Sequence, residues 1–193
     1  MPHFDDTLLF SCGKLRVRAA WRPPGAPTAP IVARLLAADP AVAPGAEVCH
    51  SPSGAPFLSG AGNMPAISIT HSRDIVAIAV APAGCHVGID AENTGRDRQL
   101  RRVAPRFLSP SQLHLWGGTP QTLLRAWTLK EALYKAALLP GLPLIEIPLP
   151  GPTALPDSEV TLRGLRFALL AIPSPLPDNV ISLARLADFS LND

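Results

Sequence analysis

WTLKEALYKA, residues 127–136, decides how this chain is read. The stretch belongs to a helix starting no later than Thr122. Leu123, Leu124, Trp127, Leu129, Leu133 and Leu138 stand at helix-compatible positions, and neither Pro nor Gly interrupts before Pro140. At about 100° per residue, Trp127, Tyr134, Leu138, Leu123 and Leu124 share one apolar arc, and Glu131 and Lys135 fall inside it. Gln121, Arg125, Thr128, Ala132 and Ala136 form the face expected toward water. A carboxylate or ammonium on a buried stripe costs several kcal/mol unless it is paired or metal-bound. On a solvated face the same i,i+4 pair contributes only about 0.3–0.5 kcal/mol. Their place on the apolar arc therefore favours a site over an idle ion pair.

Working outward, Ser109 caps a short helix through Trp116, and Gly117-Gly118 separates it from the long one. Before it, Arg96, Arg98, Arg101, Arg102 and Arg106 lie on a further helix. That basic run would suit nucleic acid, but Asp90, Glu92 and Asp97 dilute it and no aromatic side chains interleave. Strands are expected at Leu8–Phe10, Leu15–Ala20, Val48–His50, Pro56–Leu58, Ile67–Thr70, Ile75–Ala81 and His86–Ala91, with a helix over Thr28–Asp39 capped by Thr28. After the proline-rich stretch Pro140–Pro156, strands are expected again at Ile145–Ile147, Val160–Leu162, Leu165–Ile172 and Val180–Leu186. The reading is α+β: two similar halves, 1–87 and 88–193, each a helix on a three-stranded antiparallel sheet. They are expected to be related by a pseudo-twofold, with the active site in the cleft between them.

The chain has 193 residues, 47% of them hydrophobic, which is enough for a sizeable core. Seventeen basic against fifteen acidic residues leave +2, too little to argue for nucleic acid from bulk charge. Cys12, Cys49 and Cys85 are odd in number and widely spaced, which suits a reducing cytoplasm and not a disulfide frame. Cys49-His50 and Cys85-His86 lack the spacing of a zinc finger. No apolar run of about 18 residues, the length a membrane helix needs, is present.

In GIDAE, residues 88–92, Asp90 and Glu92 point to one side of an extended chain, with Ile89 on the other. Two hard oxygen donors at a strand end suit Mg²⁺ if Glu131 supplies a third ligand; otherwise they read as a strand that ends in solvent-facing acids. His71 and Ser72, at the tip between two apolar strands, are both able to hydrogen-bond a phosphate oxygen.

Together ISITHS (67–72), GIDAE (88–92), RFLS (106–109) and WTLKEALYKA (127–136), in this order, resemble the 4'-phosphopantetheinyl transferases of the surfactin-synthetase-activating type. The resemblance implies transfer of the phosphopantetheine arm of coenzyme A to a serine of an acyl or peptidyl carrier protein, releasing adenosine 3',5'-bisphosphate. It implies Mg²⁺ held by Asp90, Glu92 and Glu131, with Glu131 also a candidate base and Lys135 on the pyrophosphate. His71 and Ser72 would contact coenzyme A phosphates, with Lys130 a further phosphate-side candidate and Arg34 reaching the 3'-phosphate. GAPFL at 54–58 departs from the family pattern, with Ala55 where lysine is usual. A degenerate relative that binds a carrier or nucleotide without turnover is the alternative. A two-halved chain completes its own cleft, so a monomer is expected, with no nucleic-acid or membrane partner.

Overall fold

The structure, a computed structural model, describes residues 4–153 and 157–189, so the end of the proline-rich stretch, residues 154–156, lies outside it. Among the described residues the fold is mixed α+β, with two four-stranded antiparallel sheets and a separate two-stranded hairpin. The first contains β1 (Thr7–Cys12), β2 (Leu15–Trp21), β5 (Ala66–His71) and β6 (Ile75–Ala81), in the order β1-β2-β6-β5. Helix α1 (Thr28–Ala37) and the hairpin β3 (Glu47–His50) and β4 (Pro56–Ser59) intervene between β2 and β5. The second contains β7 (Val87–Asn93), β8 (Asp157–Leu162), β9 (Leu165–Ile172) and β10 (Asn179–Leu186), in the order β7-β10-β9-β8. Between β7 and β8 run α2 (Asp97–Phe107), α3 (Pro110–Trp116) and α4 (Pro120–Ala137). Each sheet has four strands, one more than expected. The connections are alike: β2 leads into α1 and pairs with β6, and β7 leads toward α4 and pairs with β10.

Apolar alternation divides the interior into three clusters. Leu15, Val17, Ile75 and Ala77 of the first sheet meet Ile89, Ala91, Ile181 and Leu183 of the second. Helix α1 covers the other face of the first sheet through Val32, Leu35 and Leu36 against Val76, Ile78 and Val80. Helix α4, with α2 and α3, packs near Phe167, Leu169, Val180 and Ala184 of the second.

The two sheets also meet along β5 and β7, where side-chain hydroxyls take the place of a backbone ladder. The Ile89 N–H donates to Ser68 Oγ at 3.0 Å, and the Ala91 N–H to Thr70 Oγ1 at 3.1 Å. Beyond the strand ends Ser72 Oγ donates to Asn179 Oδ1 at 3.0 Å, and Asn179 Nδ2 donates to Asp74 at 3.0 Å. Buried N–H groups left without partners would each cost about 1–3 kcal/mol, so these hydroxyls satisfy β7 on the side away from β10.

Helix α4 sits differently from its apolar arc. Thr128, Ala132 and Ala136, expected in water, are completely buried, whereas Trp127 and Tyr134 are half-buried and Leu138 is exposed. The cause is Gly88. A Cβ there would lie 2.0 Å from the Ala132 carbonyl oxygen and 2.6 Å from Ala136 N, so backbone meets backbone and only small residues fit between. The bulky side chains shift to the flanks, where the Trp127 ring meets Phe107 edge to face at 4.9 Å. Arg125, also placed in water by the arc, is half-buried and donates to the Ile181 carbonyl and, at 3.3 Å, to Ser182 Oγ.

Three smaller expectations are corrected. Ile145–Ile147 is no strand: Leu144–Glu146 is a 3₁₀ turn between Pro143 and Pro148, with Ile147 buried. Thr28 is the first helical residue of α1, behind Pro27, and supplies no side-chain cap. Arg96 closes a 3₁₀ turn ahead of α2. The Ser109 cap is present, as a reciprocal box with Gln112.

Replacing Gly88 with alanine is expected to destabilise the protein by about 3 kcal/mol, at the upper end of overpacking costs, read from chemical denaturation. Stability within about 0.5 kcal/mol of wild type would contradict the close approach of α4 to β7.

Candidate active site

Asp90 and Glu92 alternate with Ile89 and Ala91 along β7. The apolar pair faces the inter-sheet core, and the carboxylates face the side where α4 crosses. One turn separates Glu131 from Lys135 on the flank of α4, at the edge of that crossing. Lys135 Nζ donates to Asp90 Oδ1 at 2.8 Å and to the Ile89 carbonyl at 2.9 Å, which leaves one of its three N–H groups free. Thr70 Oγ1 donates to Asp90 Oδ1 at 3.2 Å while accepting from Ala91. One hydroxyl on β5 thus aligns both the strand and its carboxylate.

The carboxylates feel one another. Burial pushes Asp90 up; Lys135 and the Thr70 hydroxyl oppose this, and the charge of Glu92 adds to it. Glu131 is also raised, first by burial and then by Asp90, with Lys135 opposing and Glu92 adding. A carboxylate displaced upward is a better proton acceptor near neutral pH. Glu92 is held by Arg96 through Oε2 and by the Asn93 N–H through Oε1 at 3.0 Å. Among the described residues no three His, Cys, Asp or Glu side chains converge as a ready metal cluster. The donor chemistry nonetheless fits a hard dication, which would relieve the repulsion that Lys135 and Arg96 now temper.

Two cavities adjoin these groups. One, of about 1030 Å³, lies among α1, the β3–β4 hairpin, β5 and the C-terminal end of α4; Ala55, His71, Tyr134 and Lys135 are on its wall. The other, about 360 Å³, is bounded by Arg22, His71, Ser72, Arg73, Glu92 and Arg96. His71, exposed at the end of β5, lines both.

Residues 86–160 match the family model of the 4'-phosphopantetheinyl transferase superfamily. The superfamily match contains Asp90, Glu92, Glu131 and Lys135 and begins after His71, Ser72 and Arg34. No curated protein matches the chain. Among the described residues, no helix is long and apolar enough to cross a membrane.

The structure pairs Asp90 with Lys135 and sets Glu131 one turn before Lys135, near enough for the charges of Asp90 and Glu92 to raise it, with Glu92 on the same strand as Asp90 and His71 and Ser72 at the adjoining strand end. Three expectations need correction. Lys130, proposed for phosphate, is 0% exposed, and its Nζ donates to Gln112 Oε1 and to the Leu144 and Ile147 carbonyls, each at 2.8 Å. It ties α4 to α3 and the 144–147 turn. Ser72 lines the small cavity, but its hydroxyl proton goes to Asn179, so its donor is spent. Arg34 lies on the outer side of α1, paired with Asp5 and donating to the Asp5 carbonyl at 3.0 Å, and lines neither cavity. Thr70 was missed, although Ser68 and Thr70 are the alternating polar positions of an otherwise apolar strand, a signal present in the sequence. Arg22, far from any motif, gave no such signal.

Lys130→Met is expected to cost about 2–4 kcal/mol, because the Gln112 amide oxygen and the Leu144 carbonyl lose the donor that the structure gives them, at about 1–3 kcal/mol for each buried acceptor left unpaired. A phosphate-binding surface lysine would cost within about 0.5 kcal/mol. Burial lowers Lys130 from 10.5 to about 8, so between these values the unfolded chain holds the proton that the folded one has shed. Stability therefore gains from this group as pH rises from about 8 toward 10.5, in wild type and not in the variant. Denaturation curves at both ends of that window test the difference.

Proposed function

We propose that the protein transfers the 4'-phosphopantetheine arm of coenzyme A to a serine of an acyl or peptidyl carrier protein, as a transferase of the surfactin-synthetase-activating type. The observation that carries this reading is the Lys135–Asp90 contact with Glu131 one turn away, at the edge of a cavity of about 1030 Å³. It lies within the stretch that matches the superfamily.

In the proposed reaction the carrier serine oxygen attacks the phosphorus that bears the pantetheine arm. The bond from that phosphorus to the bridging oxygen breaks, and adenosine 3',5'-bisphosphate leaves. Glu131, its affinity for protons raised by burial and by Asp90, accepts the serine proton directly or through a water. Lys135, fixed by Asp90 and the Ile89 carbonyl, directs its remaining N–H to the pyrophosphate. His71 contacts a phosphate from the neighbouring strand end. Asp90, Glu92 and Glu131 would hold Mg²⁺, whose contribution when bound is to draw charge from the pyrophosphate oxygens. Glu92 is available once Arg96, 42% exposed, turns toward solvent. The exposed Arg98, Arg101, Arg102 and Arg106 on α2 form the surface offered to an acidic carrier. The chain is expected to work as a cytoplasmic monomer of two pseudo-symmetric halves.

An apo carrier protein incubated with coenzyme A, Mg²⁺ and this protein should gain the mass of one phosphopantetheine group. Asp90→Ala and Glu131→Gln should each reduce that transfer by at least about 100-fold, with folding intact by circular dichroism. Coenzyme A binding with no mass gain on any carrier class would favour the non-catalytic binding module. Near-native turnover by either variant would remove its residue from the mechanism.

A further inference from the structure

A carboxylate carried by the first sheet is held by two carboxamides of the second. Asn93 and Asn179 stand directly opposite each other on β7 and β10, and both turn toward Asp74 in the tight β5–β6 turn. Asn179 Nδ2 donates to Asp74 Oδ1 at 3.0 Å, and Asn93 Nδ2 lies 3.5 Å from Asp74 Oδ2. Among the described residues Asp74 makes no ion pair, so these neutral amides alone hold its side chain. A carboxylate only accepts, so each amide faces it with its nitrogen. That leaves Asn179 Oδ1 for the Ser72 hydroxyl, which donates to it at 3.0 Å. Asn179, 5% exposed, thus spends both ends of its side chain on the turn. Asn93 Oδ1 accepts from the Gly95 N–H at 2.8 Å, and the Asn93 N–H donates to Glu92 Oε1 at 3.0 Å. One residue therefore links the turn to a carboxylate of the site. The main chain of the turn is held by Arg22, whose N–H donates to the Asp74 carbonyl at 2.9 Å and whose Nη1 donates to the Ser72 carbonyl at 3.0 Å.

His71 leads directly into this turn. It is exposed, its side chain makes no hydrogen bond among the described residues, and it lines both cavities. Its place beside Glu92 is therefore set by the main chain on either side of it, with β5 before and the clamped turn after. We infer that Asn179 is a positioning residue for His71: with Asn93 it grips Asp74 and Ser72, and so fixes the imidazole against the carboxylates of β7. The inference rests on the transferase reading for what His71 touches. It gives a role in the site to β10, which lies beyond the stretch 86–160 that matches the superfamily. Carboxamides hold the turn by direction and add no charge beside Arg22, Arg73 and Arg96, which border the same small cavity.

Asn179→Asp sets a second carboxylate against Asp74 and breaks the grip, and adding Asp74→Asn exchanges the two groups and restores it. In transfer assays with the whole protein, Asn179→Asp should raise KM for coenzyme A about tenfold, the size of one charge-assisted contact, with kcat within about threefold of wild type. The double variant should bring KM back to within about threefold. In NMR spectra the His71 imidazole signals, assigned with His71→Gln, should move in Asn179→Asp and return in the double variant, while those of His114 on α3 stay. Asp74→Ala frees both amides without adding a like charge, and should show the same rise and the same movement if Asn179→Asp does not fold. Lost stability with KM and the His71 signals unchanged, movement of only one of the two, or no recovery in the double variant overturns the inference. If wild type transfers nothing yet the His71 signals follow the clamp, the transferase reading fails and the positioning stands. If wild type transfers and the clamp variants leave KM and His71 alone, the reading stands and the positioning fails.

Discussion

The site depends on two hydroxyls. Ser68 and Thr70 accept the Ile89 and Ala91 N–H groups at 3.0 and 3.1 Å, joining one sheet to the other without a shared backbone ladder. A continuous ladder would have fixed β5 and β7 about 4.8 Å apart as neighbours in one sheet. A side-chain bridge keeps the strands in contact while each sheet retains its own helix. His71 at the end of β5 and Glu92 near the end of β7 thereby border the same small cavity. Because Thr70 also donates to Asp90, the bond that joins the sheets also orients a charged group of the site.

The second constraint is the bare backbone at Gly88. It brings α4 so close that its contact face is made of Thr128, Ala132 and Ala136, all fully buried. From that axis Lys135 reaches Asp90, and Glu131 lies near enough to be shifted by it. A larger residue at position 88 would lift the helix and lengthen the Lys135–Asp90 contact. Packing and chemistry thus share one geometric cause. The buried Lys130 secures the far side of the same helix to α3 and the 144–147 turn.

Much of this was legible in the sequence, and the failures have physical causes. Apolar runs located most strands: β2 alternates, whereas β6 is apolar throughout because the second sheet covers one of its faces and α1 the other. The Asp90–Glu92 alternation put two carboxylates on the correct side of β7. The helical arc of α4 misleads because hydrophobicity is not a measure of burial on this helix. Where backbone meets backbone, small and even polar residues occupy the contact, and bulky ones move to the flank. Lys130 misled in the opposite way: a lysine beside a catalytic candidate looks functional until three oxygen acceptors are found around it, and those come from α3 and a distant turn. The resemblance names Arg34, and only the fold shows it turned to Asp5 on the outer side of α1.

The most direct test of this account is native-state hydrogen exchange at the Ile89 and Ala91 amides. Neither is expected to rely on a backbone carbonyl of β5, yet both should exchange only through global or near-global opening, because a buried hydroxyl accepts each. In Thr70→Val, exchange at Ala91 should accelerate well beyond the change in global stability, while Ile89, bonded to Ser68, follows stability alone. Loop-like exchange of both amides in the wild-type protein, or an Ala91 amide indifferent to Thr70→Val, would contradict the claim that these hydroxyls assemble the site.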